Sequence, residues 1–373
     1  MAEKSPTVQF LSIDGEFAPN EAAEEYLPYL DELGDDDHRQ FYRDMAITRR
    51  FDEECTNLQR QGHMGLWPPS HGQEAAQIGS GRAARPQDVL FPTYREHGVA
   101  LVRGVDILDI VRVMRGTSLG GWDATDPKNN NFRNYTLVIG SQTLHATGYA
   151  MGVGLDGLVG TGDVEADTAV LTFFGDGSTS QGDVSEAFVF AASNQTPQVF
   201  FLQNNHWAIS VPVSTQSRIP LYLRAQGFGI PSVQIDGNDV LASYAATRRH
   251  LDEARSGQGP AMIEALTYRI GAHTTSDDPS RYQTPEQLAY WVARDPIKRF
   301  EAFLRSRGAD DAFFAEAAVE ANDFAADLRH GTLALQVPPL SSIFENVYAE
   351  PHPVTAEQRA WLDAYELSLR EGA

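Results

Sequence analysis

Residues Ala169–Ser210 read AVLTFFGDGSTSQGDVSEAFVFAASNQTPQVFFLQNNHWAIS, and this stretch decides the fold. Val170 to Phe174 is an apolar run with the length and composition of a strand buried on both faces. Gly175-Asp176-Gly177 follows as a tight turn. From Asp183 to Asn194, Val184, Ala187, Phe188, Ala191 and Ala192 recur at helical spacing. Pro197 stops that helix, and Val199 to Gln203 gives a second buried strand, ending in Asn204-Asn205.

A βαβ unit sets the carboxyl ends of its two strands side by side, and open α/β sheets bind ligands there. Asp176 and Asn205 are therefore expected to meet, although 29 positions separate them. One carboxylate and one amide oxygen suit magnesium, which prefers hard oxygens and completes its shell with phosphate. The backbone N–H groups around Gly175 and Gly177 can approach a diphosphate closely. A GDG turn by itself says only that the chain bends; its coupling to a second apolar strand ending in Asn-Asn gives it specificity.

The chain has 373 residues, 42% of them hydrophobic, enough for a large core. No apolar window approaches the length of a membrane span, and no secretory or transit pattern opens the sequence, so a cytoplasmic protein is expected. The single cysteine, Cys55, excludes an internal disulfide and lies among helix-spaced apolar residues, as a buried structural thiol does. A net charge of −22 argues against a nucleic-acid partner, which needs a basic footprint.

Along the chain, residues 1–38 read as an extended or partly disordered acidic arm. A long amphipathic helix follows from Arg39 to Gln61, and Gly65 to Gly72 is a loop. Gln73 begins another helix. A short strand, Asp88 to Phe91, leads into Tyr94-Arg95, where an arginine can grip a phosphate. Val105 to Arg115 is helical, and Gly120 to Arg133 is a polar loop that can cover a site. Ser141, Gln142 and Thr143 open a helix rich in small residues. Further on come a strand at Val233 to Asp236, a helix capped by Asp239, and a strand at Ala261 to Tyr268. That strand delivers the polar run Arg269 to Pro279, with His273, which is expected to be mobile when empty. From Thr284 the chain is mostly helical. Alternating strands and helices give an α/β fold with a mostly parallel sheet and helices on both faces.

The GDG turn paired with Asn-Asn resembles the thiamine-diphosphate motif. With FPTYREHG, GDGSTSQGD, QNNHWAIS, IDGND and YRIGAHTTSDDPSRY in order, residues 40 to 370 resemble the alpha subunit of the decarboxylating component of 2-oxoacid dehydrogenase complexes. The last run looks most like branched-chain members. The resemblance implies residues 39–283 as a thiamine-diphosphate-binding domain, with 284–373 as its C-terminal helical extension. It implies that Tyr94, Arg95 and Arg269 hold the diphosphate, that Gly175, Gly177 and Ser178 line it, and that Asp176, Asn205 and the Trp207 carbonyl bind magnesium. Ser141 and Thr143 fall where the family's backbone meets the aminopyrimidine, and His273 faces the reactive carbon as the catalytic histidine.

The implied reaction is decarboxylation of a 2-oxoacid and transfer of the acyl group to a lipoyl-bearing acyltransferase. The family places a required glutamate on a beta subunit, which implies a two-alpha, two-beta heterotetramer. Two departures stand out. Gln203 replaces an arginine of some relatives, and His145-Ala146 replaces the Thr-Gln of a potassium-binding turn, which leaves potassium open. Thr274 stands where mitochondrial relatives carry a phosphorylated serine. Pyruvate and acetoin are the alternative substrates, and a regulatory or scaffold homologue is the non-enzymatic alternative.

Overall fold

The computed structural model describes residues 7–118, 121–345 and 347–371. Its centre is a parallel sheet. The strands, in chain order, are β1 (Val89–Phe91), β2 (Val170–Gly175), β3 (Gln198–Asn204), β4 (Trp207–Ala208), β5 (Val211–Pro212), β6 (Ser232–Asp236) and β7 (Ala261–Leu266). Five of them form one sheet in the order β1-β2-β3-β7-β6, with every neighbouring pair parallel. β4 and β5 form a small antiparallel hairpin at its carboxyl edge.

The apolar runs fold this way because both faces of each central strand are covered. Leu171, Phe173, Val199, Phe201 and Ile263 join one core with the helices Asp35–Arg60, Glu74–Ala83 and Val240–Arg255. Phe174, Phe200, Leu202 and Met262 join a second with Val184, Ala187, Phe188 and Ala191 of the helix Gly182–Asn194. Val89 and Val170 pack on Ala146, Ala150 and Val153 of the helix Ser141–Leu155. Cys55 is fully buried in the first core. From Pro285 onward come four helices, Pro285–Val292, Pro296–Ser306, Asp311–Ala334 and Pro353–Glu371. No helix among the described residues is long and apolar enough to cross a membrane.

The structure corrects three expectations. The N-terminal arm, read as extended or disordered, is ordered from residue 7. Val8 bridges Ile235 at the edge of β6, and the amides of Phe10 and Leu11 donate to Asp239 Oδ2 at 2.8 and 2.7 Å. The other oxygen of Asp239 caps its helix as expected, so one carboxylate serves both segments. The loop expected to cover a site from Gly120 to Arg133 packs instead against β1, with Trp122, Asn129 and Phe132 buried (Gly120 lies outside the described residues). The run from Arg269 is pinned: the His273 amide donates to Asp277 at 2.8 Å and that of Thr275 to the Trp67 carbonyl at 2.9 Å.

Candidate active site

Four adjacent parallel strands release polar residues at one edge of the sheet. β1 leads to Tyr94 and Arg95, β2 to the 3-10 turn Asp176–Ser180, β3 to Asn205, and β7 to Arg269 and His273. In the register, Gly175 lies beside Gln203 and Asn204 beside Leu266, so these exits are level. Tyr94, Arg95, Gly175, Asp176, Gly177, Ser178, Asn205, Trp207, Arg269 and His273 all line one cavity there. The turn is pressed against the hairpin. A Cβ on Gly177 would meet the Ala208 Cβ at 2.9 Å. His206 and Ile209, which flank β4, both take left-handed conformations at φ 71° and 55°. For β-branched Ile209 that is backbone strain stored at the cavity rim.

The electrostatics of this edge are unbalanced in two opposite ways. Arg269 is fully buried and Arg95 is 6% exposed. Arg95 donates to the Pro69 carbonyl at 2.6 Å, to the His273 carbonyl at 3.0 Å and to His273 Nδ1 at 3.2 Å. Arg269 donates to the carbonyls of Trp207 at 3.3 Å and Ile209 at 2.6 Å, and to the Tyr282 hydroxyl at 2.7 Å. No carboxylate bonds either guanidinium among the described residues. The buried Arg269 Nε has no acceptor at all. Burial, then repulsion from Arg95, lowers the pKa of Arg269. Burying cations without counter-ions is costly, so the pair forms a ready seat for an anion.

Asp176 is the converse. It is 1% exposed, and its partners are Gln216 Nε2 at 3.3 Å and backbone N–H groups, including that of Asn205. Burial pushes its carboxyl up to about 6, against the pull of those hydrogen bonds and of Arg269. Asn205 is held by Gln73, whose Oε1 accepts from Asn205 Nδ2 at 3.2 Å, and Asn205 Oδ1 accepts from the Trp207 amide at 3.2 Å. Asp176 and Asn205 thus converge as expected.

The donor set of Asp176, Asn205 and the Trp207 carbonyl is one charged oxygen and two neutral ones. That is the chemistry magnesium accepts, and it contains no His or Cys. Among the described residues no three His, Cys, Asp or Glu side chains gather as a metal site, as expected for an ion that takes few protein ligands. A carboxylate lacking a cation beside two cations lacking an anion fits a metal–diphosphate.

His273 completes the edge. Burial, then Arg95 and Arg269, hold its imidazole down at about 3. Nδ1 faces both guanidiniums and so acts as an acceptor. Tyr94 stands edge-on to the ring at 6.3 Å between centroids.

A family model described as Dehydrogenase E1 component matches residues 42–318. The chain belongs to that family. The 3-methyl-2-oxobutanoate dehydrogenase subunit alpha of Mycobacterium tuberculosis is 41% identical over 338 residues, 90% of this chain and 89% of its own length. The pyruvate dehydrogenase E1 component subunit alpha of Acholeplasma laidlawii is 39% identical over 85% of this chain and 90% of its own. That of Bacillus cereus is 37% identical over 83% and 79%.

Two residues singled out from the sequence of this E1 chain sit apart from the cavity. The Ser141 and Thr143 hydroxyls bond the carbonyls of Val138 at 2.9 Å and Gly140 at 2.6 Å, at the start of their helix, and nearby Ile139 lines the cavity instead. Sequence reading missed Gln73, Glu96 and Ile209 as lining residues and treated Gln203 as a lost contact. Their partners are distant along the chain, so no local pattern marks them. The one visible signal was that Glu96 follows Arg95 directly.

Proposed function

We propose that this chain is the alpha subunit of a thiamine-diphosphate-dependent 2-oxoacid dehydrogenase whose substrate is a branched-chain 2-oxoacid, with 3-methyl-2-oxobutanoate the first candidate. One observation carries the cofactor reading: buried Arg95 and Arg269 lack an anion beside buried Asp176, which lacks a cation. Asp176, Asn205 and the Trp207 carbonyl would hold magnesium, and Arg95, Arg269, Tyr94 and the amides of Gly177 and Ser178 the diphosphate. In the free protein Arg269 Nη1 occupies the Trp207 carbonyl. A metal on that oxygen frees the N–H for phosphate. The cofactor supplies the electron sink for decarboxylation.

The side chains supply position and proton control. Neutral His273 is held by two arginines at the reaction edge. An anion seated between them offsets their charge and brings the imidazole back toward its working range, where it holds or passes a proton. The two carboxylates near the cavity are already engaged, Asp176 toward the metal and Glu96 with Thr93 and Gln203. The acid that activates the cofactor's aminopyrimidine is therefore assigned to a partner beta subunit, and the acyl group passes to a lipoyl-bearing acyltransferase.

The relative from Mycobacterium tuberculosis supports the branched-chain substrate; the pyruvate dehydrogenase relatives favour pyruvate as the second reading. Turnover with a panel of 2-oxoacids and acetoin, measured on the chain alone and with its beta subunit, decides both points. The expected result is no turnover alone and the highest kcat/KM on 3-methyl-2-oxobutanoate with the partner. Full activity of the chain alone would remove the split-site proposal.

A further inference from the structure

Glu96 and Gln203 meet inside the same cavity, and neither has a role in the account above beyond their mutual bond. Gln203 Nε2 donates to Glu96 Oε1 at 2.7 Å. The other carboxylate oxygen accepts from Thr93 N at 2.5 Å and Thr93 Oγ1 at 2.6 Å. This arrangement leaves Gln203 Oε1 buried with no donor. Gln203 lies beside Gly175 in the sheet, at the start of the turn assigned to the diphosphate. An amide oxygen is the wrong group to present to a phosphate, because both only accept. A half-turn of the carboxamide exchanges its ends and offers Nε2–H to the anion. Oε1 then faces Glu96, and those two acceptors tolerate each other only if the carboxyl carries a proton.

We infer that Gln203 and Glu96 form a proton-coupled clamp: diphosphate binding turns the Gln203 amide to donate to a phosphate oxygen, and Glu96 takes one proton from solvent to donate back to Gln203 Oε1. The inference rests on the reading of this cavity as a diphosphate site. No covalent bond changes; one proton is gained per site. Burial already raises the Glu96 carboxyl, against hydrogen bonds from Thr93 and Gln203 and the charge of Arg95. The other titratable or charged groups around the pair are His97 and Tyr135, bonded to each other at 2.8 Å, and Asp176, Arg269 and His273 across the cavity.

The test is calorimetric titration of magnesium thiamine diphosphate into the full chain assembled with its beta subunit, across pH 7 to 8.5 and in two buffers of different ionisation enthalpy. Wild type is expected to take up close to one proton more per site than Glu96→Gln. That variant offers an amide N–H to Gln203 Oε1 and so mimics the turned state with binding kept. Above the Glu96 pKa, wild-type affinity is expected to fall up to tenfold per pH unit relative to the variant. Gln203→Met is expected to bind about tenfold more weakly and to lose the extra proton, which gives a second route should Glu96→Gln not fold. His273 and Asp176 also respond to the ligand, so the difference between wild type and variant isolates Glu96. Equal proton uptake in both, or loss of binding in Glu96→Gln, overturns the clamp alone. Absence of saturable binding by wild type overturns the diphosphate reading and the clamp with it.

Discussion

Replacing Asp176 with asparagine is expected to stabilise the metal-free protein while abolishing its response to magnesium thiamine diphosphate. The buried carboxyl titrates at about 6 instead of 3.8. At pH 8 its ionised form therefore costs about 3 kcal/mol of folding free energy. The sign follows from linkage. A raised folded pKa means stability that is fully present below 3.8 and lost as pH rises through 6. At pH 5 the cost is about half as large.

Asparagine keeps an acceptor for the Asn205 amide and removes the charge, so it recovers most of this energy. For 373 residues, an unfolding entropy of about 2.1 cal/mol/K per residue turns 3 kcal/mol into a rise of about 4 °C in Tm. Calorimetric melts of both proteins, stripped of metal, at pH 5 and pH 8 provide the assay. The gap should favour Asp176→Asn and roughly double between the two pH values. Cofactor at a hundred times its Kd should add about 2.7 kcal/mol to wild type and nothing to the variant. A variant less stable than wild type at pH 8, or a gap indifferent to pH, would refute the claim that Asp176 is a buried charge waiting for a cation.

Other expectations follow from the same edge. Arg269→Met should weaken binding of magnesium pyrophosphate by about 10- to 100-fold in a calorimetric titration, and Arg269→Lys by less, since a charge-assisted bond to an anion contributes about 1.5–3 kcal/mol. Gly177→Ala should leave the fold intact by circular dichroism but reduce cofactor affinity about tenfold, because the new methyl displaces the hairpin that carries Trp207. In an NMR titration the His273 imidazole should titrate near 3 without ligand and move toward 6.5 with the cofactor bound. An unmoved value would show that no anion sits between the two arginines.

Much of the edge was legible in the sequence because it is encoded locally. Val170 to Phe174 and Val199 to Gln203 are apolar without interruption, and a parallel sheet then puts Asp176 and Asn205 together by topology alone. What escaped reading depends on pairings across long separations. Gln203 meets Glu96 across 107 positions, and Asn205 meets Gln73 across 132. No periodicity reports such contacts. The N-terminal arm misled because prolines and acids surround Val8, Phe10 and Leu11, the residues that anchor it. The loop before Arg133 misled because its asparagines looked solvated. Asn129 and Asn130 instead donate to the carbonyls of Asp123 and Arg103, at 2.7 and 2.9 Å.

The most direct test is a crystal structure of the assembled enzyme with magnesium thiamine diphosphate. The account predicts one magnesium ion at about 2.1 Å from an Asp176 carboxylate oxygen, Asn205 Oδ1 and the Trp207 carbonyl, with Arg269 turned from that carbonyl to the diphosphate. A metal bound elsewhere, with the Arg269–Trp207 bond intact, would contradict it.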